Sequence, residues 1–120
     1  VLMRNNRYLM IRRAPGVAKP GMWCFPGGHL EKGETSRIAV ERELAEELGL
    51  LVRAEKRVGS VRVLDSRHVL AVWLVSHIGG EMRLAEAEIS ETRWLTPQEV
   101  LTIPHSIPSN KHVLHLLGAC

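Results

Sequence analysis

Cys24 and Cys120 are the only cysteines in this chain of 120 residues, too few to staple a small secreted domain. A reducing, cytoplasmic setting is the simpler expectation. Aromatic side chains are scarce too, with Trp23, Trp73, Trp94, Tyr8 and Phe25 making up the whole set. Lysine and arginine are spread along the chain and form no basic run, so a dedicated nucleic-acid surface is not indicated. Long apolar runs are missing as well. The longest, VLAVWLVSHI from Val69 to Ile78, is far too short for a bilayer and reads as a buried strand. No charged stretch followed by an apolar one opens the sequence, so no secretory signal is visible. The sequence starts at Val1 without a methionine, which leaves targeting open.

What remains is the composition of one compact domain, with room for a single core. A net charge of +3 is a mild basic excess that suits an anionic ligand such as a phosphate ester. VLM and YLMI flank Asn5 and Asn6, which tolerate a left-handed turn, so a hairpin is expected. APGVAKPG at Ala14 to Gly21 is a loop by its prolines and glycines, and MWCFPGG runs briefly extended after it. A helix is expected from Thr35 or Ser36, either able to cap it, to Gly49 as the residue just past its end. Strands are expected at Val52 to Leu64 and His68 to Ile78, turning at Asp65 to Arg67, with a short strand at TRWL. Thr96, Pro97 and Glu99 form a capping-box start for the next helix, and NKHVLHLLG is the last. Without a strict alternation of strand and helix, the fold class is α/β with a mixed sheet covered by helices.

The first helix holds the chemistry. Glu41, Glu43, Glu46 and Glu47 share it, and like charges three or four residues apart repel. On a 3.6-residue turn, Glu46 and Glu47 flank Glu43 within an arc of about 100°, so three carboxylates converge on one patch. Leu44 and Leu48, continued by Ala45 and Ile38, are expected to form the packing stripe, leaving the patch to look sideways into a groove. Mg²⁺ suits such a patch, because it takes oxygen ligands and is commonly held by carboxylates together with substrate phosphates. A Glu-rich helix face is also often no more than a solvated surface. The preceding FPGG and EKGE weigh against that here, since two glycines let a backbone approach closely and a carbonyl at Gly28 can complete an oxygen cage.

Gly28, Glu34, Arg42, Glu43, Leu44, Glu46, Glu47, Gly49 and Leu50 fill every fixed position of the pattern G-x5-E-x7-R-E-U-x-E-E-x-G-U, where U is bulky and apolar. The chain thereby resembles the Nudix family, MutT-like members included. The flanks GMWCFPGGHLEKGE and GGEMRLAEAEISETRWLTPQEV are similar to the family's approach and exit, so the likeness covers most of the chain.

This resemblance implies an α/β/α sandwich and hydrolysis of a nucleoside diphosphate linked to another moiety, with Mg²⁺ or Mn²⁺. It makes Glu46 and Glu47 principal metal ligands, Glu43 a third ligand or the general base, and the Gly28 carbonyl a further ligand. Arg42, about 100° round the helix from Glu43, is expected to point away from the patch and to orient a box carboxylate such as Glu34. Glu88 or Glu91 would supply a further ligand or base, with Glu88 preferred. Gly49 belongs to the box as its turn.

For the substrate, Trp23 or Phe25 could stack on a base or equally be core. Asn110 could contact a base in the MutT manner or cap the last helix. His105, His112 and His115 lack partners at metal spacing and read as surface or partly buried groups. The expected substrate is a nucleotide, most readily a nucleoside triphosphate. A dinucleotide or nucleotide-sugar pyrophosphatase of ADP-ribose type and a non-catalytic nucleotide-binding module are the alternatives. No nucleic-acid partner and no membrane are expected, and the oligomeric state, a homodimer included, is left open.

Overall fold

A computed structural model describes residues 1–27, 30–62 and 69–119. Its elements run β1 (Met3–Arg4), β2 (Arg7–Arg13), β3 (Trp23–Cys24), α1 (Ser36–Leu48), β4 (Leu51–Arg62), β5 (Val69–Gly79), β6 (Ile89–Leu95), α2 (Pro97–Thr102) and α3 (Ser109–Leu116). The expected turn at Asp65 to Arg67 lies outside the described residues. Asn5 and Asn6 both take positive φ, 50° and 63°, and return β1 onto β2 as a hairpin.

β2 organises the fold because it pairs antiparallel with β1, β3 and β6. Its side chains alternate between two cores. Tyr8 and Met10 face Trp23, Val61, Val72, Leu95, Val100, Val113 and Leu114. Leu9 and Ile11 face Leu44, Leu48, Leu50, Val52, Ala54, Val75 and Ile89. A strand buried on both sides needs cover on both sides, which is the α/β/α layering. α1 supplies Leu44 and Leu48 to one layer; α2 and α3 supply Val100, Val113 and Leu114 to the other.

β4 and β5 form a second antiparallel ribbon. All pairs of named strands are antiparallel; the parallel component of the sheet is carried by isolated bridges, Leu2–Val75 and Trp23–Ser106. Leu2–Val75 ties the ribbon to the β2 sheet.

α1 begins where Thr35 Oγ1 accepts the Ile38 N–H at 3.3 Å and ends at Gly49 in the left-handed region, φ 69°. A Cβ on Gly49 would sit 2.8 Å from the Glu81 carbonyl oxygen, so both conformation and space demand glycine there. At α2 the Thr96 hydroxyl accepts from Glu99 N–H and the Glu99 carboxylate accepts from Thr96 N–H, a complete capping box that holds the Glu99 pKa down. No described helix is long and apolar enough to cross a membrane.

Candidate active site

The packing stripe of α1 differs from the expected one. Ala39, Leu44, Glu47 and Leu48 are its buried residues, whereas Ile38 is half exposed. At 100° per residue Glu47 lies near the middle of the buried arc and Ile38 about 180° away from it, on the solvent side. A glutamate has therefore been placed where an apolar residue would ordinarily go. Its Oε1 is buried without a hydrogen-bond partner. Burial first, then the charges of Glu43 and Glu88, push its pKa up to about 8, and Arg13 partly opposes the rise.

The other glutamates take different directions. Glu41 is structural: its Oε2 accepts the Ala54 N–H at 2.9 Å, at a β4 bulge that leaves this donor off the ladder. Glu43 is mostly covered, and Glu46 is largely exposed. Both accept from Arg42 Nη1, at 2.9 and 3.0 Å. Arg42 forks onto Glu34 as well, with Nε to Oε2 at 2.6 Å and Nη2 to Oε1 at 2.9 Å, and Glu31 lies 3.5 Å from Nη1. The side chain thus does not point away from the patch. Its flexible stem curls the guanidinium back over the acids, a reach that the position of its Cα does not reveal. The fork pulls the Glu34 pKa down, and Glu34 first, then Glu43, raises that of Arg42.

Consequently the three carboxylates do not converge as their spacing predicted. Glu46 is drawn outward to Arg42 while Glu47 turns inward, and no three His, Cys, Asp or Glu side chains stand at metal-holding distance among the described residues.

Glu88 is brought to this site by backbone. Past β5, Gly80 takes φ 76°, Arg83 N–H bonds the Leu48 carbonyl at 2.8 Å and Ala85 N–H bonds that of Glu47 at 2.9 Å. These bonds satisfy carbonyls that the end of α1 leaves open. Ala14 N–H then bonds the Glu88 carbonyl at 2.9 Å, fixing Glu88 between β2 and α1. Its charge is among those that raise the Glu47 pKa. Glu91 sits on β6 instead, accepting from Arg93 Nε at 2.7 Å with Arg12 at 3.9 Å.

Two neighbours were not singled out from the sequence. Arg13, at the end of β2, acts electrostatically on both Glu47 and Cys24, and the Cys24 thiol is pushed up to about 11 chiefly by burial. Arg12 and Arg13 also line an open recess of about 380 Å³ with Pro15, Pro20, Gly21 and Ser90. The doubled arginine at the end of an apolar strand was the available signal. A register shift between Arg12 and Arg13 breaks the period-two alternation that would have placed their side chains.

The groups offered for a nucleobase fare differently. Trp23 is core, with the Arg93 guanidinium 5.1 Å from its ring centre, so its face is covered. Asn110 is buried, and its amide donates to the Trp23 carbonyl and to Ser106 Oγ, each at 2.9 Å. It neither meets solvent nor caps α3, whose cap position is Pro108. It pegs the segment before α3 onto β3. Phe25 is half-buried, edge-on to Tyr8 at 5.9 Å. Gly28, whose carbonyl was expected to join the cage, lies outside the described residues.

The donor chemistry fits a hard divalent cation: carboxylate oxygens only, one of them desolvated and unpartnered on Glu47. Glu43, Glu46 and Glu47 would be the residues to hold it, and doing so together would need Glu46 to turn back from Arg42.

The NUDIX domain family model matches residues 1–117. Among curated proteins, the NAD-capped RNA hydrolase NudC of Chromobacterium violaceum is 31% identical over 107 residues, covering 89% of this chain and 40% of that protein. The putative 8-oxo-dGTP diphosphatase 2 of Mycobacterium tuberculosis is 34% identical over 106 residues, covering 78% of this chain and 75% of that protein. The chain thus spans less than half the length of the first of these. The solution structure of the E. coli ORF135 protein superposes with a TM-score of 0.75 at 30% identity, over 99% of this chain and 87% of that one.

Proposed function

Because the chain belongs to the Nudix family, we propose that it hydrolyses a pyrophosphate linkage in a nucleoside diphosphate derivative, and that this substrate is a nucleoside triphosphate. The observation that carries the proposal is the Glu47 carboxylate: buried, lacking a partner for Oε1, and pressed by Glu43 and Glu88. Such a group is costly to ionise in a fold unless a cation compensates it.

When bound, Mg²⁺ or Mn²⁺ would neutralise phosphate charge, polarise the phosphorus and lower the pKa of an attacking water. Glu43, Glu46 and Glu47 would hold the cation, and a carboxylate at this site, Glu43 or Glu88, would take the proton of the attacking water. The recess lined by Arg12 and Arg13 would receive anionic substrate oxygens, with Arg13 close enough to act electrostatically on Glu47. Of the three groups offered for a base, Trp23 and Asn110 are enclosed and Phe25 is left. The triphosphate reading draws on the likeness to the diphosphatase relative, most of whose length the chain covers.

The test measures phosphate and pyrophosphate release, with products identified, across nucleoside triphosphates, dinucleotides and nucleotide sugars, with Mg²⁺ and with chelator. Chelator-sensitive release of pyrophosphate from triphosphates is expected, and Glu46→Gln or Glu47→Gln should lower kcat by about 10²–10³. Faster turnover of an ADP-ribose-type substrate would refute the triphosphate assignment. Tight nucleotide binding without turnover would make the chain a recognition module.

A further inference from the structure

Arg42 divides its guanidinium between two tasks. Nε and Nη2 close a two-pronged fork on Glu34, at 2.6 and 2.9 Å, while Nη1 stands between Glu43 and Glu46, at 2.9 and 3.0 Å. Nη1 thus holds two of the acids that the proposed function gives to a divalent cation, and the third, Glu47, keeps a buried oxygen unpartnered beside them. We infer that Arg42 is a positioning residue that competes with the divalent cation for Glu43 and Glu46, with Glu34 as the anchor that retains its side chain while Nη1 lets go.

The argument is electrostatic and steric. A cationic nitrogen and a dication drawn to the same two carboxylates repel each other even when they take different oxygens, so loading weakens the Nη1 contacts. The Glu34 fork is bidentate and mostly covered, whereas the Nη1 contact with Glu46 lies largely in solvent. The solvent-screened contact is the weaker of the two, so it yields first while the covered fork stays. The cation site is then one that opens and closes, and its affinity is set by a residue that touches neither substrate nor cation. The inference rests on the proposed cation role of these acids.

Mn²⁺ binding by electron paramagnetic resonance, without nucleotide, tests it. In Arg42→Gln, with fold checked by circular dichroism, removal of the competitor should tighten Mn²⁺ binding by about fivefold, the scale of losing one or two partly exposed ion pairs. A side chain that only braces the acids would give the opposite sign on removal. In the unsubstituted protein, arginine-selective nitrogen NMR during a Mg²⁺ titration should show the Arg42 Nη1 hydrogen bonds lost while the Nε bond to Glu34 persists. This second measurement decides the matter even if Arg42→Gln fails to fold. Unchanged or weaker Mn²⁺ affinity in a folded Arg42→Gln, or Nη1 bonds that survive Mg²⁺ saturation, would overturn the inference alone. No Mn²⁺ binding by the unsubstituted protein would overturn the proposed function with it.

Discussion

The buried Glu47 makes an unusual demand on stability. Its carboxyl has an ordinary pKa of 4.5 and is pushed up to about 8 in the fold, so folding favours its protonated form. The stabilising contribution is complete below pH 4.5 and is lost as pH rises through about 8. At pH 7 the loss amounts to roughly 3 kcal/mol by the conversion of 1.36 kcal/mol per unit, and to about 2 kcal/mol once partial relaxation is allowed for. Glu47→Gln keeps the shape and removes the charge. In chelator it should therefore raise the unfolding free energy by about 2 kcal/mol at pH 7.5 and change it little at pH 4.5. Urea titrations of both proteins between pH 4.5 and 8.5, in chelator, measure this directly. The difference between them cancels every titrating group that does not interact with Glu47. Equal pH profiles, or a Glu47→Gln protein less stable at pH 8, would refute the account of a desolvated carboxyl. With Mn²⁺ present the order should reverse, because the unsubstituted protein then gains the binding free energy.

Asn110→Ala removes the amide donor from the buried Trp23 carbonyl and the half-buried Ser106 hydroxyl and should lower stability by about 1–3 kcal/mol in urea, with KM following only through loss of fold. A raised KM at unchanged stability would mean that the side chain reaches substrate after all. Gly49→Ala should cost about 2 kcal/mol or more, from the left-handed φ and a Cβ 2.8 Å from the Glu81 carbonyl oxygen. Gly16→Ala, where a Cβ meets nothing within 4 Å, is the control and should shift the urea midpoint little.

The fold was legible wherever a local rule and the tertiary context agree. Thr35 and Gly49 bound α1 as capping chemistry requires, the asparagine pair turns the first hairpin, and Thr96 with Glu99 starts α2. The site was less legible because it breaks those rules. Helical spacing located Glu43, Glu46 and Glu47 but took the apolar positions to be the inward ones. Leu44 and Leu48 do face inward, but Glu47 shares their arc and Ile38 faces out. The direction of a long flexible side chain was equally out of reach: Arg42 had to be seen to be placed over Glu43 and Glu46. Asn110 and Trp23 were each open between a ligand role and a structural one. A buried carbonyl elsewhere in the chain claims the first, and the core claims the second.

The strand that serves two cores at once has an implication for how errors spread through this molecule. If Arg7–Arg13 slipped by a single residue, Tyr8 and Met10 would trade compartments with Leu9 and Ile11, mismatching volumes above and below the sheet together. The tight asparagine turn ahead of it therefore works as a ruler. Lengthening that turn by one residue should scramble both halves of the interior simultaneously, even though the inserted residue would touch neither.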